Sequence, residues 1–254
     1  MNAQRRPLIA GNWKMFHGGP GACDLAAQIA AGVEDLDHID VVICPPFTAL
    51  AAVAAELEGR KVQLGAQNLH PQASGAFTGE VSGPMLVECG ARWVIVGHSE
   101  RRHQYGEGDD LVAAKTKAAL DVGLRPIICV GETLAERTGG QTLAVVQHQL
   151  EAVMPMLERS QGQAVVAYEP VWAIGTGHNA TTAQAQEVHA MIRAQLRQLS
   201  SQLAERTRIL YGGSVKPDNA AALLSCPDVD GALVGGASLD PHQFLAIARA
   251  AQPA

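Results

Sequence analysis

Aromatic residues make up only 4% of the 254 positions and charged residues only 17%. With so few rings, the core must be built from Val, Ile, Leu and Ala, the composition of parallel strands covered by helices. Hydrophobic residues at 47% exclude an intrinsically disordered chain. No apolar run approaches the roughly 18 residues of a membrane-spanning helix. No apolar stretch follows the two arginines within Met1–Pro7, so neither a membrane span nor a signal peptide is expected. There is no excess of positive charge either. The net charge of -6 disfavours nonspecific binding to nucleic acid or an anionic membrane, although the local field of a site can still admit a small anion. Cys23, Cys44, Cys89, Cys129 and Cys226 are odd in number and include no C-x-x-C pair. That points to reduced thiols in a cytoplasmic protein rather than a disulfide framework. No Pro/Ser/Gly-rich linker divides the chain, so residues 1–254 are read as a single domain.

What the sequence does contain is an alternation. Short apolar runs lie at Leu8–Gly11, Val41–Cys44, Val62–Ala66, Trp93–Gly97, Pro126–Val130, Ala164–Tyr168, Ile209–Tyr211 and Gly231–Val234. Several are β-branched and apolar throughout, as strands buried on both faces are. Helical patterns lie between them at Gly21–Ala31, Thr48–Leu57, Asp109–Ala119, Thr142–Leu157, Thr182–Leu203, Asn219–Leu224 and Pro241–Ala250. Thr182, with Gln186 nearby, and Asp218 offer helix starts. Eight such runs in about 250 residues predict an α/β fold: a closed (β/α)8 barrel of eight parallel strands ringed by helices. An open doubly wound sheet is the alternative reading of the same alternation. One long polar connection, Asn68–Gly83, is rich in Gly, Ser and Thr. By composition alone it is either a docking arm or a surface excursion.

In such a barrel chemistry gathers at the carboxyl ends of the strands. The residues directly after the runs include Asn12 and Lys14, His98 and Glu100, Glu169, Gly212-Gly213-Ser214, and Gly235-Gly236. Glu169 sits between Tyr168 and Pro170-Val171-Trp172, and apolar neighbours make a carboxylate a stronger base; the plain alternative is a salt-bridged strand-end carboxylate. His98 can donate a hydrogen bond to a carbonyl and shuttle protons near neutral pH, or be a structural histidine. Lys14 supplies a compact cation for developing enolate charge or a phosphate, or is a surface lysine. Glycines in the last two loops let backbone N–H groups approach an anion closely, although tight turns alone would also use them. His98, Glu100 and His103 spell H-x-E-x-x-H rather than H-E-x-x-H, so no metal site is read. Gly175 to Ala180 fits G-x-G-x-x-A, but no acidic residue follows near the required spacing. That segment reads better as a mobile lid between Pro170-Val171-Trp172 and a helix start near Thr181.

These motifs together resemble the triosephosphate isomerase family. The matching segments are Gly11–Met15, Gly97–Arg102, Ala167–Gly177, Tyr211–Val215 and Gly235-Gly236, with Gln67-Asn68, Gly75–Glu80 and Cys129–Glu132. They span nearly the whole chain in family order. The resemblance implies a TIM barrel that interconverts dihydroxyacetone phosphate and D-glyceraldehyde 3-phosphate through an enediolate, with no cofactor and no metal. It implies that Glu169 moves a proton between C1 and C2 and that uncharged His98 polarises the carbonyl oxygens. Lys14 and Asn12 would stabilise the enediolate and hold substrate, with Glu100 supporting Lys14 and His98. Gly175, Ser214, Gly235 and Gly236 would bind phosphate through backbone N–H groups. It also implies a homodimer through the Asn68–Gly83 loop, with Thr78 reaching toward the neighbouring subunit. His178 departs from the family, which usually has lysine there. Another phosphate-binding barrel enzyme, an aldolase or a sugar-phosphate isomerase, is the alternative; a Schiff-base aldolase requires a lysine in an interior strand. A non-catalytic scaffold on the same fold is a further one.

Overall fold

The computed structural model describes residues 5–174 and 180–251. Strands β1 Leu8–Asn12, β2 Asp40–Cys44, β3 Gln63–Ala66, β4 Trp93–Val96, β5 Arg125–Val130, β6 Val165–Tyr168, β7 Ile209–Tyr211 and β8 Gly231–Val234 close into a barrel in chain order. Every pairing is parallel, and β1 meets both β2 and β8. The ring of helices is α1 Gly21–Gly32, α2 Leu50–Glu56, α3 Gly83–Glu88, α4 Ser99–Gln104, α5 Asp109–Asp121, α6 Leu134–Thr138, α7 Thr142–Ser160, α8 Thr182–Leu199, α9 Ser201–Arg206, α10 Pro217–Leu224 and α11 Pro241–Ala250. The closed order excludes the open doubly wound sheet.

The apolar-throughout runs follow from the period of a strand. Alternate residues point to opposite faces, and here both faces are covered. Leu8, Ala10, Val42, Cys44, Trp93, Ile95, Ile127, Cys129, Val165, Ala167, Leu210 and Leu233 form one cluster filling the barrel interior. Their neighbours, such as Ile9, Ile43, Val94, Val96, Ile128 and Val166, belong to a second cluster shared with the helices. Each fully buried Val, Ile or Leu contributes about 1.5–3 kcal/mol. The interior leaves little slack: a Cβ added at Gly65 would lie 2.6 Å from Cys44 Sγ.

Strand bounds match the expected runs to within a residue, and those of β7 and β8 match at both ends; helices differ more. α3, α4 and α6, of six, six and five residues, are too short to carry an apolar stripe and were not anticipated. The expected Thr182–Leu203 helix is two helices. Ser200 between them is extended (φ -163°, ψ 129°) and its side chain accepts the Leu203 N–H, so it caps a new start. The first of the two begins with a capping box of Thr181 and Gln184, not Thr182 and Gln186. α10 begins at Pro217, placing Asp218 inside its first turn. The polar Asn68–Gly83 connection is narrower than its composition suggested. Asn68 and Leu69 are buried, Gly83 opens α3, and the His70 N–H donates to the Val81 carbonyl at 2.8 Å, closing a neck.

Candidate active site

The first contributors stand on the loop after β1. Asn12 ends the strand, and its Oδ1 accepts the Lys14 N–H at 3.0 Å. Lys14 has φ 50°, a conformation costing about 1–3 kcal/mol for a residue with a side chain. It is held from outside: Gln67 Nε2 donates to the carbonyls of Lys14 (2.7 Å) and Cys44 (2.9 Å). The Lys14 ammonium reaches Glu100 Oε1 at 2.5 Å.

His98 follows β4 after Gly97, which has φ +67°; a Cβ there would also meet Val112 at 2.8 Å. Glycine is therefore required on both conformational and steric grounds. The Arg102 guanidinium fastens this turn, donating to the Gly97 carbonyl (2.9 Å), the Cys129 carbonyl (3.2 Å) and Asp109 (2.6 Å). His98 Nδ1 accepts the Glu100 N–H at 3.2 Å, so that nitrogen carries no proton. Nε2, facing Glu169 Oε1 at 3.1 Å, is then the N–H donor.

Glu169 follows β6 and is 2% exposed. Its Oε2 accepts the Ser99 N–H at 2.8 Å, at the start of α4. Glycines on either side admit it. A Cβ at Gly131 would fall 1.8 Å from the Glu169 carbonyl oxygen, and one at Gly212 would fall 2.7 Å from Glu169 Cγ. Gly212, expected from sequence to approach an anion, thus leaves room for the carboxylate instead. Glu132, wholly buried after β5, anchors the segment beyond Glu169. It accepts bonds from the Tyr168 hydroxyl, from Trp172 Nε1 (2.9 Å) and from Arg137 (3.2 Å). Burial, reinforced by Glu132, pushes the Tyr168 hydroxyl well above its ordinary pKa, so it stays a donor.

Asn12, Lys14, His98, Glu169, Ser214, Gly235 and Gly236 all line one cavity of about 460 Å³. The N–H groups of Gly213, Ser214, Gly235 and Gly236 donate to no protein acceptor among the described residues. Convergent N–H groups without acceptors are an anion cradle, and the cations of the lining are Lys14 and Lys216. Glu100 does not line the cavity but holds Lys14. Thr78 is exposed on the arm. Gly175 and His178, with the rest of the lid tip, lie outside the described residues. None of the eight strands carries a lysine, so the Schiff-base aldolase alternative has no interior-strand lysine.

Among the residues that position this site, reasoning from sequence assigned no role to Gln67, Glu132, Arg102 or the backbone of Ser99. Gln67 and Glu132 stand just beyond β3 and β5, where the same strand-end rule would have found them. Arg102 acts on backbone carbonyls, and Ser99 through its own backbone N–H, neither of which a side-chain pattern reveals.

The triosephosphate isomerase family model matches residues 7–251. The triosephosphate isomerase of Chloroflexus aurantiacus is 54% identical over 245 residues, covering 96% of this chain and 98% of the relative. That of Xanthobacter flavus is 53% identical over 250 residues, covering 98% and 99%. A crystal structure of the triosephosphate isomerase of Bartonella henselae superposes with a TM-score of 0.88 at 44% identity, covering 96% of this chain and 98% of that one.

Proposed function

Because this chain belongs to the triosephosphate isomerase family, and so interconverts dihydroxyacetone phosphate and D-glyceraldehyde 3-phosphate, we propose that Glu169 is the base and His98 the acid of that reaction. Glu169 takes a proton from C1 of the ketone; the C–H electron pair forms the C1=C2 bond and the carbonyl pair moves to O2, giving the enediolate. His98 Nε2–H donates its proton to O2 and takes the hydroxyl proton of O1 in its place, and the protonated Glu169 returns its proton at C2 as the C1 aldehyde forms. Lys14, supported by Glu100 and by Asn12, stabilises the developing negative charge. The N–H groups of Ser214, Gly235 and Gly236 hold the phosphate, with Gly175 assigned to the same task by family resemblance.

One observation carries this reading. Glu169 and His98 meet at 3.1 Å on a cavity also lined by N–H groups that have no acceptor among the described residues. A base must lie within reach of the proton it takes, and a phosphate cradle fixes the three-carbon unit between the two ends. Glu169→Asp retracts the carboxylate by one methylene. In a coupled assay for glyceraldehyde 3-phosphate conversion, kcat should fall by about 10²–10³ with a much smaller change in KM. A wild-type kcat in that variant overturns the assignment of the base.

The same reading extends to assembly and place. Residues 1–254 act as one domain, and two copies pair through the Asn68–Gly83 arm. Met15, 93% exposed, and the exposed Phe16, Phe47 and Phe77 support this: they stand on the loops after β1, β2 and β3, three adjacent strands. Neighbouring exposed apolar side chains favour a surface that a partner covers, and on this reading Thr78 reaches toward the partner's site. Five free cysteines support a reducing, cytoplasmic setting. No helix among the described residues is long and apolar enough to cross a membrane.

A further inference from the structure

The amino ends of β3, β4 and β5 frame a second cavity, of about 700 Å³, on the barrel face opposite the site above. Four cations line it, Arg60, Lys61, Arg92 and Arg125, against one carboxylate, Glu58, in a chain whose net charge is -6. Arg60 and Lys61 have partners behind them in Glu34 and Asp37. Arg92 and Arg125 have no carboxylate within ion-pair distance among the described residues.

Arg125 is nevertheless held in place. Its guanidinium lies over the Trp93 ring, 5.4 Å from the centroid, and Arg208 lies over the same ring at 5.3 Å. Trp93 is fully buried, and its Nε1 donates to Gln63 Oε1 at 2.8 Å, so the ring is a fixed platform. Arg208 is ion-paired to Asp40 at 2.6 Å. Burial pushes the Arg208 guanidinium below its ordinary pKa, and the nearby charge of Arg125 acts in the same direction. Like charges gathered on a concave, partly apolar wall focus a positive potential that a bound anion relieves.

We propose that this cavity binds an oligophosphate, a ligand with two or more linked phosphates. Its cations come from the α2–β3 loop, the start of β4 and the start of β5, and four of them stand against the single carboxylate Glu58. A single phosphate does not neutralise that excess of positive charge, whereas a linked chain of phosphates brings several negative charges to it. Arginine forks suit the task because they grip phosphate oxygens in pairs.

The test is calorimetric titration with inorganic tripolyphosphate at low ionic strength. The carboxyl-end site is first saturated with an equilibrated mixture of the two triose phosphates, so that only the second cavity is read. Saturable binding is expected, weakened about tenfold or more by Arg92→Glu, with kcat unchanged. Arg92 is exposed, so this variant should fold as the wild type does. Arg125→Ala, which also uncovers Trp93, should weaken binding by a similar factor. Inorganic phosphate should bind more weakly than tripolyphosphate. Absence of saturable binding, wild-type affinity in Arg92→Glu, or equal affinity for the two anions would each overturn the proposal.

Discussion

The sharpest test of the site's geometry is a single methyl group. Gly212 is not among the glycines of positive φ, so Gly212→Ala tests volume rather than a left-handed backbone. Its Cβ would stand 2.7 Å from Glu169 Cγ, where ordinary contact begins at 3.4 Å, a shortfall of 0.7 Å. The Tyr168 carbonyl, 3.2 Å from the same point, belongs to the barrel wall and cannot move aside. The side chain of Glu169 therefore retreats by about that shortfall. Its oxygens now sit 2.8 Å from the Ser99 N–H and 3.1 Å from His98 Nε2, so the retreat stretches at least one of these contacts out of good hydrogen-bond range. A misplacement approaching 1 Å in a reacting group costs about 10²-fold, or about 2.7 kcal/mol of barrier. The overpacking should also cost about 1–3 kcal/mol of stability, lowering Tm by about 2–4 °C for each kcal/mol. A coupled assay for kcat and a thermal melt separate the two effects. A kcat within about twofold of wild type, less than about 0.5 kcal/mol, would show that Glu169 does not depend on the space Gly212 leaves, and the geometric account would fail.

Other outcomes follow from buried groups and from the arm. His189 is fully buried and its pKa is pushed down to about 4, chiefly by burial. Because its folded value lies below its unfolded one near 6.5, the unfolded chain binds more protons between the two. Stability should be complete above pH 6.5, decline down to about pH 4 and flatten below. The loss is on the order of 3 kcal/mol; His189→Asn should remove that part of the urea-measured pH slope, and an unchanged slope refutes the assignment. Glu107→Ala leaves Lys115, 3% exposed, without its carboxylate, and should cost about 3–5 kcal/mol. Replacing both residues with apolar ones should recover much of that loss, and a neutral Glu107→Ala in chemical denaturation would contradict it. Light scattering should give about twice the 26.6 kDa of one chain. Thr78→Arg should lower both that mass and kcat, and a fully active monomeric wild type would rule out the arm as a docking element.

The barrel was legible because its strands are apolar on both faces, a pattern that survives without any knowledge of contacts. Ile209–Tyr211 and Gly231–Val234 could be read residue by residue. The short helices were not legible: α4 offers six residues, Ser99–Gln104, and its significance lies in its first N–H groups, which receive Glu169 and His98. The chemical residues could be found by position, as polar groups where apolar strands stop. Their supports were harder to see, because Arg102 and Gln67 act on backbone carbonyls from neighbouring strands. The glycines were legible as special without revealing why. Gly212 and Gly236 look alike in sequence, yet one is walled in by Glu169 and the other faces open space.

Glu169 is held by the protein's own groups. The carboxylate of Glu169 rests on an amide and an imidazole, so an arriving ketone meets a competitor already seated rather than a waiting partner. On the proposed assignment, every turnover opens with Glu169 giving up the Ser99 amide, a charged hydrogen bond worth about 1.5–3 kcal/mol, and closes with its return. Affinity measured from outside therefore understates the grip on the substrate by that exchange, and a molecule too small to supply the compensating contacts at the far end leaves the base where it rests.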